Sequence, residues 1–478
     1  MENIPHWLVK QAELSPHNLA VEIDTGESLS YLELHQKSES YARKLSHFNF
    51  KKNDRVALLS NNSLDMLAII HALSYLEVIV VLLNTRLTVE EINFQLKDSQ
   101  TALLITSDEF QSENYDVVNR RLISDIVMYK VDYSIVFKSQ MNLNDPFTLM
   151  YTSGTTGVPK AVVHTYGNHW WSAIGSVLNL GLNDSDKWLS ALPMFHVGGL
   201  SVFIKSAIYG MPVYLLKKYS KKSVYQAILN KDVTIVSFVT LMLADFLKEL
   251  SGDSPAQLRA ILLGGGSVPE VLLEKCVEKN VPLIQSYGMT ETCSQIVTLS
   301  NADAVRKIGS AGKPLMPAEL KIDANKNEIG EILVKGPMVI ERYFNNSHAT
   351  TKSFKDGWFK TGDLGYLDED GFLYVVDRRS DLIISGGENI YPTEIENLLM
   401  SDRRIKEVAV VAKKDGRFGA VPVAYVVLKE ELEEPVDLSS ILKGKLAKFK
   451  QPVEYIIVDT LPRTASNKIM RHQLSEGK

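Results

Sequence analysis

The chain has 478 residues, of which 45% are hydrophobic and 23% charged, with a formal net charge of −5. That length exceeds one ordinary core, so two or more domains are expected in a soluble globular protein, and the mild acidity argues against a nucleic-acid partner, whose footprint is basic. With only Cys276 and Cys293 present, a disulfide framework and a cysteine metal cluster are excluded.

The opening MENIPHWLVKQAEL lacks the apolar run of a signal peptide, and the most apolar short run, VIVVLL, is far below the roughly 18 residues that cross a bilayer. A reducing cytoplasm and no integral membrane association are the expectation. Along the chain, RVALLS (55–60) predicts a buried strand, SLDMLAIIHALSYLE (63–77) a helix with apolar residues at helical spacing, and VIVVLLN (78–84) the next strand. Thr88 followed by Glu91 predicts a capping box, in which hydroxyl and carboxylate each satisfy a free backbone N–H. TALLIT, FTLMY, VTIVSFV, LRAILLG and VPLIQSY continue the strands. Strand–helix alternation predicts an α/β fold of stacked, mainly parallel sheets covered by helices.

From Gly309 the texture changes to short β segments between turns (GSAGKPLMPAELKID, GEILVKGP, GFLYVVD), as in a small β-barrel. A last unit of about a hundred residues follows, a usual domain size. It holds two β segments, EVAVVA and VPVAYVVL, and then a helix with apolar positions at Leu438, Ile441, Leu442, Leu446 and Phe449 that Pro452 ends. The boundary is placed at Arg379 and Ser380, giving a large N-terminal domain over 1–379 and a small α+β C-terminal domain over 380–478.

The stretch YTSGTTGVPKAV (151–162) carries the first chemistry. Gly154 and Gly157 let successive N–H groups face one anion, and Thr152, Ser153, Thr155 and Thr156 add hydroxyls. Lys160 follows, but Pro159 stands where a Walker loop needs Gly, and neither G-x-G-x-x-G after a strand nor G-x-S-x-G occurs. Read alone, the stretch is as well explained by a Gly/Thr surface turn.

Six further stretches decide between these: PMFHVGG (193–199), LLGGGSVP (262–269), SYGMTET (286–292), TGDLG (361–365), DRRSDLIISGGENIYPTEIE (377–396) and PRTASNKIMR (462–471). In this order they resemble the adenylate-forming superfamily of acyl-CoA synthetases, luciferases and peptide-synthetase adenylation domains, over nearly the whole chain. QSYGMTETCSQIVTL and DRRSDLIISGGENIYP resemble most the branch that activates o-succinylbenzoate for menaquinone synthesis. The resemblance implies attack of a carboxylate on the α-phosphorus of ATP, then displacement of AMP by the thiol of coenzyme A. The loop 152–157 with Lys160 is then implied to hold the leaving β- and γ-phosphates. Another aryl- or medium-chain acyl-CoA synthetase, a non-catalytic nucleotide-binding relative, and an adenylation module serving a carrier protein are the alternatives. Oligomeric state stays open, a homo-oligomer included.

The resemblance also implies the roles. Lys468 is expected to offset charge as carboxylate meets α-phosphate; Asn467 precedes it where many relatives have Gly. Thr290 is expected at the α-phosphate and Glu291 at Mg²⁺, which favours one or two carboxylates plus phosphate oxygens. Asp363, with Arg378, is expected at the ribose hydroxyls. Tyr287, flanked by Ser286 and Gly288, is expected against the adenine, with Gly264, Gly265 and Gly266 as the other wall. His196 is expected as an aromatic gate between acyl pocket and thiol tunnel, a plain core histidine being the rival. Ser380 falls at the hinge of a C-terminal domain used twice, the second time presenting Gly386, Gly387 and Glu388 to the pantetheine arm. Lys205, in the apolar run SVFIKSAIYG, either meets the non-reacting carboxylate of the substrate or runs its head out to solvent.

Overall fold

The computed structural model describes residues 3–475 apart from 118, 153–158, 266–267, 301–302, 326–327, 379–380, 386–387, 416–417, 430–436, 444, 447 and 465–467. Two α/β sheets form the large part. The first has six strands in the order Lys160–Thr165, Pro146–Thr152, Ile79–Leu82, Arg55–Leu59, Leu103–Thr106, Arg120–Leu122. Its neighbours are parallel except the first pair. The second has nine, in the order Lys313–Pro314, Ser294–Thr298, Leu283–Met289, Ala260–Leu263, Ile235–Phe238, Trp188–Ser190, Val213–Leu215, Leu19–Ile23, Ser28–Ser30. It is parallel from Leu283–Met289 to Leu19–Ile23 and antiparallel at both ends. The expected stacked, mainly parallel architecture is what the chain builds. The N-terminal strand Leu19–Ile23 joins the second sheet rather than the first, a long-range pairing that local pattern does not encode.

The helix Leu64–Tyr75 differs from an amphipathic one: every residue from Met66 to Tyr75 is buried. It shares one core with Val56 and Leu82 of the first sheet and Val213 and Ile235 of the second. A helix apolar on all sides is one enclosed on all sides. The capping box at Thr88 forms: its backbone N–H donates to Glu91 Oε2 at 2.8 Å, and Glu91 N–H donates to Thr88 Oγ1 at 3.3 Å.

The β-rich segment is an antiparallel sheet, Glu319–Asp323, Gly330–Lys335, Trp358–Leu367 and Phe354–Lys355, with Leu373–Arg378 paired to Trp358–Leu367. A bridge from Gly312 to Leu373 ties it to the end of the second large sheet. It is a half-barrel continuous with that sheet rather than a separate closed barrel. The C-terminal part has five strands where sequence shows two. Ile405–Asp415 and Gly419–Leu428 form the central pair, with Ile383–Ser385, Glu388–Ile390 and Glu454–Ile457 added. It encloses its own core of Ile383, Ile395, Leu399, Val410, Val426 and Leu442. The helix expected to run to Phe449 stops early, at Leu438–Leu442. Lys443 already has ψ 124°, and Gly444, a poor helix former, is next in sequence. A separate 3₁₀ turn covers Lys448–Lys450. Among the described residues no helix is long and apolar enough to cross a membrane.

Candidate active site

The site gathers where strands of both large sheets end. Thr152 and Lys160 are direct partners across the antiparallel pair, so both ends of the polar loop are pinned side by side. Ser153, Gly154, Thr155, Thr156 and Gly157 lie outside the described residues. The Lys160 ammonium stands over the ring of Tyr343, 5.2 Å from its centroid. The Tyr343 hydroxyl donates to Glu291 Oε1 at 3.0 Å. Burial, then the Glu291 charge, raises the tyrosine's pKa, so the hydroxyl stays a donor. One tyrosine thus ties the loop's lysine to the carboxylate expected at the metal. Among the described residues no group of three or more His, Cys, Asp or Glu could cage an ion. A single oriented carboxylate fits Mg²⁺, which is commonly held by one or two carboxylates with substrate phosphates.

Glu291 lies in the 3₁₀ turn Thr290–Thr292, entered directly from the strand Leu283–Met289. Gly288 permits the close return: a Cβ there would stand 2.0 Å from the Ser294 carbonyl oxygen. One strand over, Gly265 has φ +91°, a conformation natural only to glycine. A Cβ on Gly264 would press on Ser286 Oγ at 3.1 Å, and that hydroxyl donates to the Leu263 carbonyl at 2.9 Å. Gly266 is outside the described residues. The Tyr287 hydroxyl donates to Asp363 Oδ2 at 2.8 Å, so the residues expected at adenine and ribose form one unit. Asp363 is paired across the half-barrel with Arg378, whose side chain is not described.

His196 is the N-cap of the helix Val197–Tyr209, half-buried, its ring edge-on to Phe195. Burial, then the Lys468 ammonium, then Arg86, lowers its pKa to about 4, so it is neutral near pH 7. The charge of the exposed Lys468 in the C-terminal part is therefore felt at a residue of the N-terminal part 272 positions earlier in the sequence. On the same helix Lys205 is only 2% exposed, its ammonium 5.5 Å from the Trp188 ring centroid. Burial lowers its pKa to about 8, partly offset by Cys293. Among the described residues it makes no ion pair. The snorkelling alternative is ruled out, because the head is enclosed. Ser380, Gly386 and Gly387 lie outside the described residues, as does the Glu388 side chain; the strands Ile383–Ser385 and Glu388–Ile390 form a hairpin. Sequence reading missed Tyr343 and Arg86; both lie in plain-looking stretches, ERYFNN and LLNTRLT, with no spacing signal.

Residues 8–344 match the family model described as AMP-binding enzyme, and 394–468 match the AMP-binding enzyme C-terminal domain. The chain belongs to the AMP-binding enzyme family. Among family relatives, 2-succinylbenzoate–CoA ligase of Oceanobacillus iheyensis is 51% identical over 99% of this chain and 100% of its own length. The structure of o-succinylbenzoate CoA synthetase (MenE) from Bacillus subtilis in complex with the acyl-adenylate intermediate OSB-AMP superposes with a TM-score of 0.94 at 45% identity, over 100% of this chain and 99% of that one. A double mutant of the Bacillus subtilis enzyme bound with its product analogue OSB-NCoA gives 0.79 at the same 45% identity, again over 100% and 99% of the two chains.

Proposed function

We propose that this family member joins o-succinylbenzoate to coenzyme A at the expense of ATP, through an acyl-adenylate, releasing pyrophosphate and then AMP. The observation that carries this is the full-length likeness to 2-succinylbenzoate–CoA ligases. The enclosed, unpaired Lys205 adds the chemistry. A buried ammonium without a counter-ion is costly, and a substrate with a second carboxylate supplies one.

In the first half-reaction a carboxylate oxygen forms a bond to the α-phosphorus as the bond to pyrophosphate breaks. Lys468 reaches both anions and offsets the charge that develops between them. Thr290 orients the α-phosphate; 152–157 and Lys160 hold the leaving phosphates. Tyr287 and the 264–266 glycines enclose the adenine, and Asp363 with Arg378 binds the ribose. Glu291 would hold Mg²⁺, whose charge favours departure of pyrophosphate. In the second half-reaction the thiol of coenzyme A attacks the acyl carbon and AMP leaves with the bonding pair. His196, neutral, gates that approach rather than taking the proton, since a thiol ionises with little help.

The boundary at 379/380 divides the chain into the part that binds nucleotide and acid and the part that moves, with Ser380 as hinge. Two features support this. The C-terminal part has its own core, and the overall match is better to an adenylate complex than to a product-analogue complex at equal identity. The present arrangement, with Lys468 at His196, is then the adenylating one; rotation would bring 386–388 to the pantetheine arm. The experiment is a product assay by mass spectrometry across o-succinylbenzoate, benzoate and fatty acids. An AMP adduct and a thioester of o-succinylbenzoate are expected; absence of both with that acid overturns the reading.

A further inference from the structure

Behind the 3₁₀ turn Thr290–Thr292 runs a buried chain of four side chains. His164 Nε2 lies 2.7 Å from the Thr290 carbonyl oxygen, and its Nδ1 lies 3.1 Å from Thr148 Oγ1. Thr148 Oγ1 lies 3.2 Å from His169 Nε2, and His169 Nδ1 lies 3.3 Å from Cys293 Sγ. Each of the four is at most 2% exposed. Burial holds His164 down to about 4 and His169 well below the usual range, so both imidazoles are neutral near pH 7.

Neutrality fixes every proton. A carbonyl only accepts, so His164 Nε2–H donates to Thr290. Nδ1 of His164 must then accept, from the Thr148 hydroxyl. That oxygen accepts from His169 Nε2–H, which leaves His169 Nδ1 to accept from the Cys293 thiol. All four donors point the same way, from Cys293 to the Thr290 carbonyl. The turn they end on is strained: Cys293 and Ser294 have φ +52° and +103°, which non-glycine residues rarely adopt without being held.

We infer that Cys293, His169, Thr148 and His164 form a positioning network that fixes the Thr290 carbonyl and so aims the turn carrying Thr290 and Glu291. The inference rests on the proposed role of that turn at the α-phosphate and magnesium. The four are positioning residues, since each acts through the turn and none meets the reacting atoms. His164 and His169 flank the helix start at Thr165, the N-cap whose hydroxyl accepts from the Asn168 N–H, so strand end and helix start present both imidazoles to Thr148.

Thr148→Val tests it, because it keeps the shape and removes both the donor to His164 and the acceptor for His169. The expected result is a rise of about five-fold in KM for ATP and in the half-saturating magnesium concentration, from loss of buried hydrogen bonds. KM for o-succinylbenzoate stays within about two-fold, and Thr148→Ser restores the magnesium titration. Glu291→Gln is run alongside. If Glu291→Gln shifts the titration and Thr148→Val does not, the network is overturned and the turn's role stands. If neither shifts it, the reading of the turn fails and the network falls with it. Equal rises in KM for ATP and for the acid, unrelieved by serine, also overturn the inference, because they show a structural role only. Should Thr148→Val fail to fold, Cys293→Ala removes the first donor; a smaller shift of the same sign is expected, and an unmoved titration overturns the network.

Discussion

Two lysines frame this molecule, and their surroundings are opposite. Lys205 is enclosed on a helix packed against the second sheet, beside Trp188, with its pKa lowered by burial to about 8. Lys468 is exposed on a loop of the C-terminal part, and its charge is felt at His196 in the N-terminal part. The first is held in place and poorly solvated, which suits recognition of a fixed anion. The second keeps the reach of its flexible stem, which suits meeting two anions that must approach each other. On the proposed function, one residue type would serve specificity in one place and chemistry in the other, with burial setting the difference.

The largest expected effect is at the exposed lysine. Lys468→Ala should lower the adenylation rate by about 10² to 10³ or more, the usual range for removing a charge-stabilising donor. Thioester formation from supplied acyl-adenylate should persist. Equal loss in both half-reactions, followed by rapid quench, would break the division between the two lysines. Lys205→Ala comes next, at roughly 30-fold or more in KM for o-succinylbenzoate, because truncating one member of a desolvated charge pair leaves the other unpaired. Benzoate, with no second carboxylate, should show no such change. An unaltered KM for o-succinylbenzoate removes Lys205 from substrate recognition. Glu291→Gln should raise the magnesium requirement more modestly, read as a shifted titration of pyrophosphate release.

Much of this architecture is legible in sequence because local and global signals agree. The strands 55–60 and 101–106 are apolar runs bounded by turns, and Thr88 with Glu91 announces a helix start that forms as expected. The depth of Lys205 is half legible: an apolar helical run around a lysine poses the question of burial but cannot answer it. Trp188, which faces it, is 17 residues away in sequence and arrives from a strand rather than from the same helix. Tyr343 and the His164–Thr148–His169 chain were not legible for the same reason. Their partners come together only when strand Lys160–Thr165 pairs with Pro146–Thr152 and the Thr290 turn folds over both. The early end of the helix at Leu442 was legible in principle, since Gly444 argues against continuing through it.

The finest test of the comparison uses pH. Lys205 has a lowered pKa, so its ammonium is present below about pH 8 and lost above it. Binding an anion needs the ammonium, so kcat/KM for o-succinylbenzoate in adenylation should fall about tenfold per unit above that point. The same shift makes folding more favourable as pH rises from about 8 toward the lysine's ordinary value, because the unfolded lysine then holds more protons. Trp188 favours the charged form through its ring face, and Trp188→Phe weakens that by roughly 0.5–1 kcal/mol. The break in the pH profile should therefore move down by about half a unit. Lys205→Ala should abolish the break altogether. A break that stays at the same pH in both variants belongs to another group, and the buried lysine then contributes no titrating charge to acid binding.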